Sequence, residues 1–89
     1  MVNEDVVKDF GLRIRQLRME KHLSQEQLSF ATGFHRTYIG MVERGERNIS
    51  LVNIAVFASV FEITLSELLD LTKIDTKHSF KSYQIKQAK

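Results

Sequence analysis

The sequence predicts an all-α fold of five short helices with a short C-terminal extension. Three observations carry that prediction. Apolar residues recur at three- and four-residue spacing along most of the chain. Ser24, Ser50 and Thr64 stand at capping positions just ahead of such runs. Gly33 and Gly45 stand where two of the runs stop.

The first helix is expected over residues 5–21, where Val7, Phe10, Ile14 and Leu17 make one apolar stripe and Lys8, Arg13, Arg15 and Glu20 fall off it. Ser24 opens the second. Its hydroxyl can accept from a first-turn amide, Gln27 completes a capping box, and Leu23 with Leu28 fits a hydrophobic staple. This helix is short, ending near Ala31, and Thr32-Gly33-Phe34 stops it. The third begins after Phe34 and runs to Glu43 or Arg44, closed by Gly45. After the loop Glu46-Arg47-Asn48-Ile49, Ser50 caps a fourth helix over residues 51–61. Thr64 and Glu67 form a second capping box, opening a short fifth helix that reaches Leu71. Residues 1–72 thus read as one domain and residues 73–89 as a basic tail, in which Phe80, Tyr83 and Ile85 are the large apolar residues after Ile74. Disorder, a short extra helix, or a strand paired across a dimer are all open for that tail.

Composition narrows the function classes. The chain has 89 residues and no Cys, which excludes a disulfide framework and a thiolate metal site and fits the cytoplasm. No apolar run approaches the ~20 residues that span a bilayer, and the acidic start Met1-Val2-Asn3-Glu4-Asp5 is not a signal peptide. His22, His35 and His78 are scattered, with no metal-binding pair, phosphate-cradling Gly loop or nucleophile triad, so neither an enzyme nor a cofactor is expected. Lys73, Lys77, Lys81, Lys86 and Lys89 set the high isoelectric point. Net charge is therefore a weak guide to partners, and the placement of Arg is the informative quantity.

Every Arg lies between Arg13 and Arg47, around two short helices joined by a tight Gly-containing turn. That is the pattern of a helix-turn-helix. On a helical wheel Ile39 and Val42 share the inward face with the Phe34 entry, whereas Arg36, Thr37, Gly40, Met41 and Arg44 share the opposite face. A forked donor, a hydroxyl with a methyl, a missing side chain and a thioether suit base edges in a major groove. Arg36 is the leading candidate for a base contact, with Thr37, Tyr38, Gly40 and Met41 beside it, Gly40 allowing close approach. Arg44, Arg47 and Asn48 are expected along the sugar-phosphate backbone, as are Ser24 and Gln25 at the start of the second helix. Glu43 would repel phosphate unless a partner cancelled it, and Arg18 on the first helix is the expected partner.

These residues resemble the Cro/C1-type (Xre-type) helix-turn-helix family. The resemblance rests on Leu23-Ser24-Gln25-Glu26-Gln27-Leu28, Ala31-Thr32-Gly33-Phe34, Ile39, Val42-Glu43-Arg44-Gly45-Glu46-Arg47 and Ser50-Leu51, and it covers residues 10–71. It implies a five-helix Cro/C1-repressor-like domain acting in transcriptional regulation and binding DNA as a dimer. His35-Arg36-Thr37-Tyr38-Ile39 with Glu43-Arg44-Gly45-Glu46-Arg47-Asn48 looks closest to controller proteins of restriction–modification systems. That likeness puts Arg36, Thr37 and Tyr38 at groove-facing positions and matches Arg18 with Glu43 to the family's interhelical ion pair. His35 stands where the family often has Ser, Asp or Asn at the cap. It is expected to cap weakly and to be free for a contact.

The fourth helix argues separately for a homodimer. Leu51, Ile54, Phe57, Ala58 and Phe61 make one apolar stripe for the core, and Val52, Val56 and Val60 make a second on the other side. A helix apolar on both faces is covered on both. A second copy covers the valines in one reading; the tail covers them in the other. Twofold symmetry then predicts a palindromic operator. The alternative class is an antitoxin-type or phage-repressor-type module whose tail meets a protein partner.

Overall fold

The apolar periodicity closes into helices as the spacing predicts. The computed structural model describes residues 5–74. In order, these form α1 (Asp5–Glu20), α2 (Gln25–Thr32), α3 (Arg36–Glu43), α4 (Leu51–Phe61) and α5 (Leu65–Leu68), followed by a 3₁₀ turn at Leu71–Lys73. The expected fifth helix to Leu71 is thus two pieces, because Leu69 and Asp70 leave the helical path between them.

The predicted caps are present, although Thr64 and Glu67 make only the hydroxyl half of the expected box. Ser24 Oγ accepts from the Gln27 amide at 3.0 Å and Gln27 Oε1 accepts from the Ser24 amide at 2.8 Å. Ser50 and Thr64 accept from Asn53 and Glu67 amides, each at 3.1 Å. α2 ends one residue later than expected, at Thr32, and Gly33 closes it with φ +81°, a left-handed backbone that costs glycine nothing sterically.

Phe10, Ile14 and Leu17 of α1 meet Leu28, Ile39, Val42, Phe57, Ala58, Phe61 and Leu68 in one buried cluster. α1 lies close enough to α3 that a methyl group on Gly11 would strike the carbonyl oxygens of Val42 and Glu43. Phe34 at the α2–α3 turn packs its ring 5.3 Å from Phe57. The turn is therefore pinned to α4, and α3 is held against the core on its apolar side.

Three expectations need correction. Arg13, read as lying off the apolar stripe, is only 3% exposed. It donates from Nε to the Leu68 carbonyl at 3.0 Å and from Nη2 to the Glu67 carbonyl at 2.7 Å. Its guanidinium thereby satisfies the C-terminal carbonyls of α5, groups that a helix this short leaves without internal partners. Leu51, assigned to the core stripe, is 67% exposed because α4 begins beyond the edge of the cluster. The valine stripe is not uniform: Val52 is exposed, while Val56 and Val60 are half-buried and Val60 packs on the core.

Ordered packing continues past residue 72. Ile74 is buried, and Gln16 Nε2 donates to the Lys73 carbonyl at 3.2 Å. The tail residues Phe80, Tyr83 and Ile85, and His78, lie outside the described residues.

Candidate nucleic-acid interface

The outward side of α3 is set by what anchors its inward side. Ile39 and Val42 are buried, so Arg36 and Thr37, two or three residues before Ile39, emerge at the exposed N-terminal end. His35 caps this end. Its Nδ1 accepts from the Thr37 amide at 3.0 Å, which replaces the expectation of a weak cap and a free ring. An accepting Nδ1 carries no proton, so the ring's N–H is on Nε2. Imidazole here does the work of the usual hydroxyl or carboxamide, in a backbone that is extended like other caps.

Arg36 is exposed, with one guanidinium nitrogen 3.8 Å from a Glu26 carboxylate oxygen on α2. At that distance, in solvent, the pair is loose and guides the side chain without fixing it. Thr37 is exposed. Met41 is half-buried at the edge of this face.

Tyr38 is braced from three sides. Its ring meets Phe34 edge-on at 5.1 Å, its hydroxyl accepts from Asn53 Nδ2 at 3.1 Å, and the Arg47 guanidinium lies 5.3 Å above its centroid. With Asn53 occupying a lone pair, the phenolic proton remains available to donate elsewhere. Arg47 and Asn48 are exposed in the loop after α3, and the aromatic face holds the Arg47 fork in place.

Gly40 is not an open notch. It is buried, and a methyl group there would lie 3.1 Å from an Arg44 guanidinium nitrogen and 3.7 Å from Gln25 Oε1. The space left by the missing side chain is taken by Arg44. Glu46 holds that guanidinium with paired contacts, Nε to Oε2 at 2.9 Å and Nη2 to Oε1 at 3.2 Å. The hydrogen bond, with the charge attraction behind it, raises the Arg44 pKa further. The same bond holds the Glu46 carboxyl below its ordinary value of 4.5.

Behind this face sits a buried knot. Glu43 accepts from Arg18 Nε at 2.6 Å and Nη2 at 3.1 Å, and from Gln25 Nε2 at 3.1 Å. Arg18 also donates to the Leu23 carbonyl at 2.8 Å. The expected Arg18–Glu43 pairing is thus present and joins α1, α2 and α3. Gln25 donates one amide hydrogen to Glu43 and turns its oxygen toward Gly40, leaving its second N–H uncommitted to that bond. The Gln25 backbone, at the first turn of α2 beside Ser24, is left to meet an anion.

Three contributors had been given no role from the sequence: Asn53, Glu26 and Glu46. Glu46 had a local signal, a carboxylate two residues after Arg44. Asn53 had none, because its partner Tyr38 lies on another helix. Among the described residues no three His, Cys, Asp or Glu side chains group as metal ligands, and no helix is long and apolar enough to cross a membrane.

Comparison with known proteins agrees with this geometry. A helix-turn-helix family model matches residues 14–68. Control protein C.BamHI of Bacillus amyloliquefaciens is 46% identical over 66 residues, covering 73% of this chain and 82% of that protein. The crystal structure of the restriction–modification controller protein C.AhdI from Aeromonas hydrophila superposes with a TM-score of 0.68 at 52% identity, covering 74% of this chain and 98% of that one. The biofilm master regulator SinR, solved in complex with DNA, gives a TM-score of 0.64 at 31% identity over 68% of this chain and 98% of its own.

Proposed function

Since the chain belongs to the Cro/C1-type helix-turn-helix family of DNA-binding transcriptional regulators, we propose that it reads a palindromic operator as a homodimer and acts as the controller protein of a restriction–modification system. The observation that carries this reading is the exposed end of α3. There Arg36 and Thr37 emerge together from a capped first turn that the core holds outward. In a major groove the first turn of such a helix faces base edges, and an Arg fork matches guanine O6 and N7. Thr37 offers a methyl and a hydroxyl beside it. Tyr38 and Met41 form the flank of the reading face, and Gly40 contributes by making room for Arg44.

Arg44, Arg47, Asn48 and the Ser24–Gln25 helix start serve as phosphate contacts that set register. Arg44 must exchange Glu46 for phosphate to do so. The dimer reading draws support from Leu51, Val52, Leu65 and Leu69, large apolar side chains of α4, α5 and the residue just after it that remain exposed. They extend the surface first expected of Val52, Val56 and Val60. A regulator of this kind works in the cytoplasm, with the DNA.

Selection of binding sites from random duplexes with the purified chain tests the proposal. The expected result is one enriched motif with twofold symmetry and half-site centres about 34 Å apart. An enriched motif without symmetry overturns the homodimer, and no enrichment overturns sequence reading. A methyltransferase or endonuclease gene beside the coding gene supports the controller assignment; a toxin gene in that place points to the antitoxin class instead.

A further inference from the structure

We propose that residues 75–89 dock along the outer face of α1, in the groove that begins at Ile74. α1 is apolar on two sides. Phe10, Ile14 and Leu17 face the core, while Leu12 and Met19 emerge on the far side, 38% and 55% exposed. Together with Arg15, Gln16, Glu20 and Ile74 they line a groove of about 500 Å³. A helix with apolar residues on both faces is covered on both.

The occupant follows from the path of the chain. After α5 the 3₁₀ turn brings the backbone back onto α1. There Gln16 fastens the Lys73 carbonyl at 3.2 Å, and Ile74 is already buried, 7% exposed. The last described side chain therefore lines the groove. Residues 75–89 carry Phe80, Tyr83 and Ile85, the apolar side chains that the groove lacks. Reach is ample: ten extended residues cover roughly 33 Å, and the α1 surface from Leu12 to Met19 advances about 10 Å. The segment lies beyond residues 14–68, which the family model matches. No residue of α3 lines the groove, so docking there leaves α3 open to DNA.

Limited trypsin digestion tests this, because Lys77, Lys81 and Lys86 lie within the segment. Cleavage after Lys81 and Lys86, followed by mass spectrometry, is expected to be about tenfold or more slower in the unaltered chain than in Met19→Asp. Leu12→Ser, a milder change at the other end of the groove, should accelerate cleavage in the same direction. Equal rates in all three proteins overturn the proposal. The occupant is identified with Met19→Cys combined with Tyr83→Cys in this cysteine-free chain. A disulfide within one chain at all protein concentrations supports docking in cis. Disulfide-linked dimers that increase with concentration, or no disulfide, overturn it. Both readouts are independent of DNA, so failure here leaves the operator proposal standing.

Discussion

Two sets of acid–base pairs sit on either side of α3, and they are built for opposite purposes. On the inner side, the Glu43 side chain is 4% exposed and Arg18 13%, and Glu43 has three hydrogen bonds from two helices. On the outer side, the Arg44–Glu46 and Arg36–Glu26 side chains are roughly half or more exposed. A charge buried in a pair cannot lose its partner cheaply. An exposed charge can exchange its partner for water or phosphate at little cost. The same chemical pairing is thus a fastener inside and a placeholder outside, and solvent access decides which.

The sharpest way to break this contrast is Glu43→Gln. It keeps the shape but leaves Arg18 partly buried without a countercharge, and Gln25 loses a charged acceptor. A loss of about 3 kcal/mol in urea unfolding is expected. Out of the total of roughly 5–15 kcal/mol typical of domains, that is a large fraction. Replacing both partners, Arg18→Met with Glu43→Leu, should recover much of it, because no charge is then stranded. A loss below about 1 kcal/mol in the single variant would show that water reaches the site and that the inner pair resembles the outer ones.

The second comparison divides the outer face itself. Arg36→Ala is expected to cost roughly 1–3 kcal/mol per half-site on the selected operator and to relax preference at one base position. Arg47→Ala should weaken binding to all duplexes alike and reduce the salt slope by about 1. Titrations on operator and scrambled DNA at several salt concentrations separate the two. Matching behaviour of the variants would remove the division between reading and positioning residues.

What was legible in the sequence follows the range of the interaction. Ser24 with Gln27, and Thr64 with Glu67, lie three residues apart, so their caps could be read from spacing alone. The stripes of α1 and α3 were legible because a helix repeats its faces every few residues. The inner Arg18–Glu43 pair was reached from the need to neutralise an acid near DNA. Arg13 was missed because its partners are carbonyls of α5, distant in the chain, and backbone acceptors leave no mark on side-chain patterns. Gly40 was read as a clearance for DNA because the wheel shows its direction but not that Arg44 folds back over it. His35 stood at a cap position and lacked only the usual residue type. Leu51 continues the stripe in sequence, yet the core ends before it. Periodicity thus reports which way a residue faces, and only the assembled fold reports what it faces.

The smallest effect expected is the most direct test of the placeholder idea. Glu46→Gln removes the carboxylate that holds Arg44 over Gly40. The pair is exposed, so thermal stability at neutral pH should stay within measurement error. The hydrogen bond from Arg44 holds the Glu46 carboxyl below its ordinary value of 4.5 in the folded chain. Its contribution to stability is therefore fully present above that ordinary value and is lost as pH falls through the depressed one. The variant should sit below the unaltered chain at pH 5–8 by no more than this small contribution, and the two should converge on acidification below that window. DNA binding should respond where folding does not. Arg44 no longer has to leave a partner, and one negative charge is gone from the phosphate side, so affinity should rise a few-fold for operator and non-operator DNA together. A rise confined to operator would make Arg44 a base-reading residue, and a fall would show that Glu46 aims Arg44 at its phosphate rather than merely keeping it.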